Sequence, residues 1–255
     1  MQIRLDTKIA EQYKNASQII RVSTEAWVDN EAFCPNCGSS LDQFPKGRPV
    51  ADFYCSKCCE EYELKSKKKS IGTKIVDGAY RTMLERLKSD NNPNLFLLNY
   101  DLLSFEIQNF FVIPKHFFVP EIIEQRKPLS EIARRAGWVG CNILLKDIPL
   151  TGKVFYIKNG KVELKEKVLE TWRKTLFLRE EKEVAAKGWI LDIMNCIDKI
   201  GKGEFFLNEI YAFEELLEQK HPNNRHIKDK IRQQLQFLRD KGYLDFVSRG
   251  KYRLN

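Results

Sequence analysis

The apolar positions in the first part of the chain switch between helix-like and strand-like spacing. Residues 7–30 carry apolar side chains at helical spacing and predict helices. Residues 50–54 and 62–65 predict the two strands of a hairpin. The segment 75–87 again has helical periodicity and runs into the breaker cluster at 89–94. Further strands are predicted at 95–100 and 109–114, and 155–164 predicts a hairpin that turns at Asn159-Gly160.

Between these elements, a basic segment predicts a short helix. Ser130 is a suitable N-cap and Gly137 a suitable residue just after the helix, which would carry Arg134 and Arg135. Trp138 follows directly. Basic residues beside a planar aromatic side chain are typical of nucleic-acid contacts, so we expect an exposed Trp138 at a DNA surface. Packing of Trp138 in the core is the alternative.

From Gly188 onward the pattern becomes that of a winged helix. Helices are predicted at 189–200, 208–219 and 223–241, with a short strand at 204–207 after the first of them. Residues 243–254 then predict a two-stranded wing.

The third of these helices presents basic and amide side chains on its outer face. Arginine and amide groups hydrogen-bond guanine and adenine edges in the major groove. We therefore expect DNA binding, against the alternatives of ordinary solvation or a winged helix that binds protein. The candidate contacts in the helix and the wing are Arg225, His226, Lys228, Arg232, Gln233, Arg249 and Lys251.

Four cysteines have the spacing of a zinc site. Cys34 and Cys37 form one Cys-x2-Cys pair, Cys55 and Cys58 form another, and 17 residues separate the pairs. Each pair can present two thiolates to one ion, so two pairs complete a tetrahedron. The alternatives are unrelated thiols or disulfides. We predict a structural Zn²⁺.

The predicted hairpin also carries a set of charged residues that suits phosphodiester hydrolysis. Asp52 is followed, after ten residues, by Glu63-Leu64-Lys65. Alternate residues share a strand face, so Glu63 and Lys65 point the same way. Carboxylates at Asp52 and Glu63 can hold Mg²⁺, and Lys65 can stabilise the phosphorane. The alternative is a solvated strand face with a salt bridge. Glu163-Leu164-Lys165 matches the same pattern, but it lacks a partner Asp and is interpreted as structural.

Composition restricts the class of protein further. The 255 residues contain 43 Lys and Arg against 35 Asp and Glu, a net charge of +8 that suits a polyanionic partner. Seven cysteines fit a reducing compartment with a metal site. The first residues lack an apolar signal core, and the apolar runs are too short to cross a bilayer. We expect a soluble, cytoplasmic bacterial protein that does not bind a membrane.

Several stretches resemble the DpnI-type methyl-directed restriction endonucleases, which belong to the PD-(D/E)xK nucleases. They are RPVADFYCSKC with YELKSKK, DGAYRTML with SDNNPN, QRKPLSEIARRAGWVGCNI, and IKDKIRQQLQFLRDKGYLDFVSRGKYR. The resemblance implies an α/β fold: a nuclease core with a mixed sheet and an inserted zinc site in 1–183, then a winged helix in 184–255. Ala51 departs from the motif, which has Pro there.

The same resemblance implies a set of roles and a reaction. Asp52, Glu63 and Lys65 would be catalytic, with Mg²⁺ held by Asp52, Glu63 and the backbone carbonyl of Leu64. The four cysteines would hold zinc. The activity implied is cleavage of both strands of duplex GATC whose adenines carry N6-methyl groups, by a monomer. Two alternatives stay open: a zinc-containing DNA-binding regulator without nuclease activity, and a nuclease of the same fold with another specificity.

Overall fold

The computed structural model describes residues 1–45, 51–89, 92–181 and 183–255. Their internal contacts divide the chain into two compact units. The first consists of Met1–Leu145 and Thr151–Thr175, and the second of Lys146–Leu150 and Leu176–Asn255. The short piece Lys146–Leu150 thus packs with C-terminal residues, which the sequence did not indicate. The domain boundary between residues 183 and 184 stays a prediction.

The strands of the first unit form two sheets. The larger sheet has the order β1-β2-β3-β5-β6-β9-β10 and is mixed, because β3 and β5 pair in parallel and the other neighbours are antiparallel. The smaller sheet, β4-β8-β7, is antiparallel. In chain order the strands are β1 (Asp42–Gln43), β2 (Phe53–Tyr54), β3 (Glu61–Lys68), β4 (Ile75–Ala79), β5 (Asn94–Tyr100), β6 (Ile107–Ile113), β7 (Ile123–Gln125), β8 (Gly140–Ile143), β9 (Val154–Lys158) and β10 (Lys161–Val162).

The centre of the larger sheet is the core of this unit. Every residue of β5 is buried, as expected for a strand covered on both faces. The strands predicted at 95–100 and 109–114 are confirmed as β5 and β6. The hairpin of β2 and β3 is also confirmed, with Phe53 opposite Tyr62. Its predicted first residue, Val50, lies outside the described residues, as do Asp90 and Asn91 of the breaker cluster.

The second predicted hairpin is confirmed with its turn. Asn159 and Gly160 connect β9 to β10 with φ angles of 51° and 72°. A type I′ turn needs positive φ at both central positions, which Asn and Gly adopt at least cost. Glu163 and Lys165 follow this hairpin at the start of the next helix.

The α-helices in the described part of the first unit are α1 (Ala16–Glu31), α2 (Tyr80–Lys88) and α3 (Lys165–Arg173). The side chain of Asn15 caps α1 by accepting the backbone N–H of Ser17 at 2.8 Å. Trp27 of α1 is buried against Phe110, with ring centroids 5.1 Å apart. The helix predicted in 7–30 is thus confirmed for Ala16–Glu31 only, since Lys8–Ala10 forms a short 3-10 turn in which Ile9 is 44% exposed.

Two helix predictions in this unit are wrong in part or in whole. Ile75–Ala79 is the strand β4, and the helix begins only at Tyr80. The segment contains β-branched residues and a glycine, which favour a strand over a helix. Residues 131–137 form turns, not a helix. Ile132 there is 97% exposed, so its side chain adds no packing that would stabilise a short helix.

The second unit has the element order of a winged helix. The helices are α4 (Val184–Ile200), α5 (Leu207–Tyr211), α6 (Glu214–Lys220) and α7 (Ile227–Asp240), and the strands are β11 (Glu204–Phe206), β12 (Leu244–Ser248) and β13 (Lys251–Leu254), paired as β11-β13-β12.

Three helix boundaries in this unit differ from the prediction. The helix predicted at 208–219 is split into α5 and α6, and α4 starts five residues before the predicted position 189. The helix α7 starts at Ile227, so Arg225 and His226 precede it. None of the helices in the described parts of the chain is long and apolar enough to cross a bilayer.

Candidate active site and metal centre

The two cysteine pairs meet at one point of the first unit. The Sγ atoms of Cys34, Cys37, Cys55 and Cys58 all lie within 4.8 Å of one another. The Cys34–Cys58 and Cys37–Cys55 Sγ separations are each 3.4 Å. Four sulfurs around a Zn²⁺ at about 2.3 Å would stand about 3.8 Å apart. The cluster therefore fits a tetrahedral zinc ion, as the spacing predicted.

Turns of the backbone hold the cysteines in this arrangement. Gly38 follows the first pair with φ of +78°, a conformation that glycine adopts without strain. The N–H of Gly38 donates to the carbonyl of Cys34, and the N–H of Cys59 donates to that of Cys55, both at 2.8 Å. Burial alone would raise the pKa of Cys37, but hydrogen bonds from Ser39 lower it to about 6. A thiolate, the ligand form for zinc, is thus favoured at Cys37.

Side chains outside the cluster tie it to the surrounding elements. The hydroxyl of buried Tyr62 lies 3.1 Å from the Sγ of Cys34. The indole N–H of Trp172 in α3 donates to Oδ1 of Asn36 at 3.0 Å. Lys165 donates to the carbonyl of Gly38 at 2.7 Å. Lys165 thus supports the metal centre, in agreement with the structural interpretation of Glu163-Leu164-Lys165.

The predicted catalytic residues converge on the hairpin of β2 and β3. Asp52 directly precedes β2, and its Oδ2 accepts the backbone N–H of Leu64 at 2.7 Å. The backbone N–H of Asp52 donates to the carbonyl of Tyr62 at 2.8 Å. Glu63 and Lys65 share one face of β3, and the Nζ of Lys65 lies 2.7 Å from Oε1 of Glu63. The hairpin therefore brings the three side chains together, as the sequence predicted.

Burial shifts the pKa values of Asp52, Glu63 and Lys65. Removal from water raises the pKa of Asp52, against the hydrogen bond from Leu64. Removal from water likewise raises the pKa of Glu63, although the Lys65 ammonium opposes the change. Burial alone would lower the pKa of Lys65, but nearby carboxylates more than offset it and the pKa is raised. Lys65 is therefore a stable ammonium between carboxylates, and a further cation would stabilise the charged forms of Asp52 and Glu63.

Two oxygen ligands are available for a divalent ion at this position. One oxygen of Asp52 and one of Glu63 remain beyond the bonds to Leu64 and Lys65 described above. Mg²⁺ is commonly held by one or two carboxylates together with water and substrate phosphates, so this pair suits it. Among the described residues, however, only the cysteine cluster brings three or more ligand side chains into convergence.

Two acidic residues beside this group were missing from the sequence prediction. Asp77 of β4 places Oδ1 2.8 Å from the Nζ of Lys65. Glu25 of α1 is buried, accepts Nε of Arg21 at 2.6 Å, and contributes to the raised pKa of Asp52. The alternation of β4, with Val76 exposed and Asp77 turned inward, is the signal that would have found Asp77. The helical spacing of apolar residues in 75–87 obscures this alternation.

The DNA contacts predicted in the first unit lie in the turn segment between β7 and β8. Arg134 and Arg135 are exposed, as expected. Trp138 is half-buried instead of exposed, because its ring packs against Gly140. A Cβ added at position 140 would lie only 2.8 Å from carbons of the ring. The guanidinium of Arg135 stands 4.5 Å from the centroid of the Trp138 ring. A basic, aromatic surface therefore exists here, without the predicted helix.

The predicted DNA contacts of the second unit form a charged surface around α7 and the wing. Several of them are held by neighbouring side chains. Lys228 pairs with Glu214 at 3.0 Å, Lys251 with Glu204 at 2.6 Å, and Gln233 accepts Lys230 at 2.9 Å. Arg232 donates to the Tyr211 hydroxyl at 2.7 Å and to Asp229. Arg225 and His226 are exposed just before α7, and Arg249 is exposed in the turn of the wing between β12 and β13. Asp229 was not foreseen on this surface.

The fold and the site together define the class: a mixed α/β protein with a four-cysteine cluster suited to zinc and a C-terminal winged helix. Residues 1–181 match the DpnI model, described as the Dam-replacing family, and residues 185–254 match the model described as the Dam-replacing HTH domain. The chain belongs to the DpnI, or Dam-replacing, family. It is a DpnI-like, methyl-directed enzyme of the restriction nuclease class that acts on DNA through a DNA-binding helix-turn-helix domain.

Proposed function

We propose that the protein is a type II restriction endonuclease that hydrolyses both strands of duplex DNA at GATC when its adenines carry N6-methyl groups. The observation that supports the nuclease assignment is the meeting of Asp52, Glu63 and Lys65 on one hairpin beside the cysteine cluster. The GATC sequence and the methyl requirement rest on the family resemblance. Duplex DNA is the partner, and the enzyme acts as a monomer.

The proposed chemistry uses each of the three side chains differently. Asp52, Glu63 and the backbone carbonyl of Leu64 would hold Mg²⁺, which would neutralise charge on the phosphate and lower the pKa of a water molecule. Lys65 places its ammonium beside the scissile phosphate, where it stabilises the negative charge of the phosphorane. Its raised pKa supports this role, because the side chain stays charged in a site that is largely removed from water.

We further propose that Zn²⁺ held by Cys34, Cys37, Cys55 and Cys58 has a structural role. Closed four-cysteine sites leave no open coordination position for a substrate. Cys55 follows β2 directly, so the ion would fix one end of the hairpin that carries Asp52. Metal binding to such a site contributes directly to the free energy of folding.

DNA recognition is proposed for both units. In the second unit the major groove would be approached by Arg225, His226, Lys228, Arg232 and Gln233, and the phosphates would be contacted by Arg249 and Lys251. In the first unit Arg134, Arg135 and Trp138 would make a second contact. An adenine N6-methyl group projects into the major groove, where small apolar or aromatic surfaces can detect it.

A cleavage assay on plasmids of defined methylation tests the proposal. Asp52→Asn and Lys65→Ala are expected to abolish cleavage of methylated GATC plasmid with Mg²⁺, while gel shifts show DNA binding unchanged. Glu163→Gln is the matched control, since Glu163 begins the other Glu-x-Lys segment and pairs with Lys167 in α3 at 2.6 Å. It should cleave at the wild-type rate. Full cleavage by Asp52→Asn would refute the catalytic role of Asp52. Binding without cleavage by the wild type would favour the alternative of a DNA-binding regulator without nuclease activity.

A further inference from the structure

Asp77 lies beside the residues proposed to be catalytic, and the reaction described above does not use its carboxylate. It lies on β4, in the smaller sheet, and its side chain is only 8% exposed. Its Oδ1 stands 2.8 Å from the Nζ of Lys65, which belongs to β3 of the larger sheet. The same ammonium lies 2.7 Å from Oε1 of Glu63. Lys65 is therefore held between two carboxylates that come from different sheets.

The backbone around Asp77 is shaped to aim its side chain. The register between β4 and β8 shifts between Asp77 and Ala79, as at a β-bulge. Bulges beside active sites commonly redirect a side chain. The backbone N–H of Gly78 also donates to Oδ1 of Asp77 at 2.7 Å, which fixes the carboxylate. Asp77 is thus a rigid acceptor, whereas Lys65 carries its ammonium on a flexible four-carbon stem.

The two carboxylates around Lys65 differ in the other groups that they would bind. In the proposed reaction Glu63 shares its oxygens between Lys65 and the metal ion. Asp77 already uses Oδ1 for Lys65 and Gly78, so it can hold the ammonium while Glu63 serves the metal. A buried ion pair adds little to stability when compared with an apolar replacement, which weakens the view that Asp77 merely joins the two sheets.

We propose that Asp77 is a positioning residue, which holds the ammonium of Lys65 where it stabilises the phosphorane during cleavage. The inference rests on the proposed nuclease function and deepens it. In the proposed arrangement Asp77 would bind neither DNA nor the metal ion, and its effect would reach the reaction through Lys65, whose Nζ lies 2.8 Å from Oδ1 of Asp77. Removal of its charge should therefore slow the chemical step and leave the binding of DNA and of Mg²⁺ unchanged.

Single-turnover cleavage of methylated GATC duplex by the full-length enzyme separates this role from a structural one. The rate constant reports the chemistry of folded molecules, whereas the amplitude reports how many molecules are folded. Asp77→Asn is expected to lower the rate constant on the order of 100-fold, the usual effect of misplacing a reacting group by about 1 Å. The Kd for DNA and the half-saturating Mg²⁺ concentration should stay within about two-fold of wild type.

Two further variants make the result specific. Asp77→Glu keeps the charge on a longer arm, so its rate constant should lie between those of wild type and Asp77→Asn, roughly ten-fold below wild type. Glu124→Gln is the matched control, because Glu124 lies on β7 of the same small sheet and pairs with Lys74 at 2.8 Å, away from Lys65. Its rate constant should equal that of wild type.

Three outcomes would overturn the inference. A rate constant for Asp77→Asn within about two-fold of wild type would show that Lys65 needs no such partner. Recovery of that variant by excess Mg²⁺ would make Asp77 a metal ligand instead. If Asp77→Asn fails to fold, a wild-type rate constant for Asp77→Glu excludes the role. Failure of the proposed function looks different, since the wild type would then leave methylated DNA uncut.

Discussion

Replacement of Gly140 by alanine should displace Trp138 without disturbing the catalytic hairpin. Gly140 begins β8, and its φ lies outside the left-handed region, so the backbone accepts alanine. The added Cβ would stand 2.8 Å from two carbons of the Trp138 ring and 3.4 Å from Nη1 of Arg126. Carbon atoms pack best at about 3.5–4.0 Å, so the indole must retreat by about 1 Å.

The two consequences of that shift differ in size. Overpacking costs about 1–3 kcal/mol and the loss of a flexible glycine returns about 0.4–1 kcal/mol, so the free energy of unfolding should fall by no more than about 2.6 kcal/mol. If Trp138 stacks on a DNA base, as proposed, its displacement removes a contact of about 1–3 kcal/mol. That loss corresponds to roughly 5- to 150-fold weaker DNA binding.

The assay is a binding titration of methylated GATC duplex in an Asp52→Asn background, which keeps the DNA intact. Gly140→Ala, Trp138→Ala and the double variant are compared by fluorescence anisotropy. Since the glycine acts through the indole, the double variant should bind no more weakly than Trp138→Ala alone. Wild-type affinity for Gly140→Ala, or two losses that simply add, would refute this reasoning and place the DNA contact elsewhere.

Two further predictions concern the metal centre and methyl recognition. Elemental analysis should find one zinc ion per chain, and active protein without zinc would contradict this. Tyr62→Phe removes the hydroxyl 3.1 Å from the Sγ of Cys34 and should lower the free energy of unfolding, measured in urea, by about 1.5–3 kcal/mol. An unchanged urea midpoint for this variant would contradict the predicted contact. The Asp52→Asn chain should bind duplex GATC with two N6-methyl groups roughly ten-fold more tightly than unmethylated duplex, since each buried methyl contributes about 0.8 kcal/mol; equal affinities would refute it. The full chain is used because Asp147, outside residues 184–255, accepts a hydrogen bond from Asn195 in the second unit.

Local spacing was enough to predict the convergence of the four cysteines and the hairpin of β2 and β3. Ligand spacing in two Cys-x2-Cys turns and the two-residue period of β3 both act over a few residues, so the sequence displays them directly. Asp77 could not be found in the same way. Its approach to Lys65 depends on the packing of one sheet beside another, and helical spacing in 75–87 hid the strand on which it lies.

For the predicted DNA surface of the second unit, residue type predicted the exposed side chains but not the contacts that hold them. The outer face of α7 was predicted from residue type, yet Lys228 and Arg232 are held by Glu214 and Tyr211. These partners come from α5 and α6, whose position relative to α7 no local pattern encodes. Phosphates must compete with such contacts, so binding at this surface exchanges one set of ion pairs for another and will weaken as salt rises.

There is a physical reason for the cysteine cluster to lie beside the residues predicted to be catalytic. The strand β2 has two residues, Phe53 and Tyr54, and so short a pairing adds little rigidity to the hydrogen bonds that Asp52 makes with Tyr62 and Leu64. Cys55 follows at once, and its Sγ meets that of Cys37 from the segment after α1. A zinc ion there would cross-link the end of the strand to the body of the unit. The ion would thus replace the sheet length that the hairpin lacks, and the position of Asp52 would depend on the cysteines as much as on its own strand.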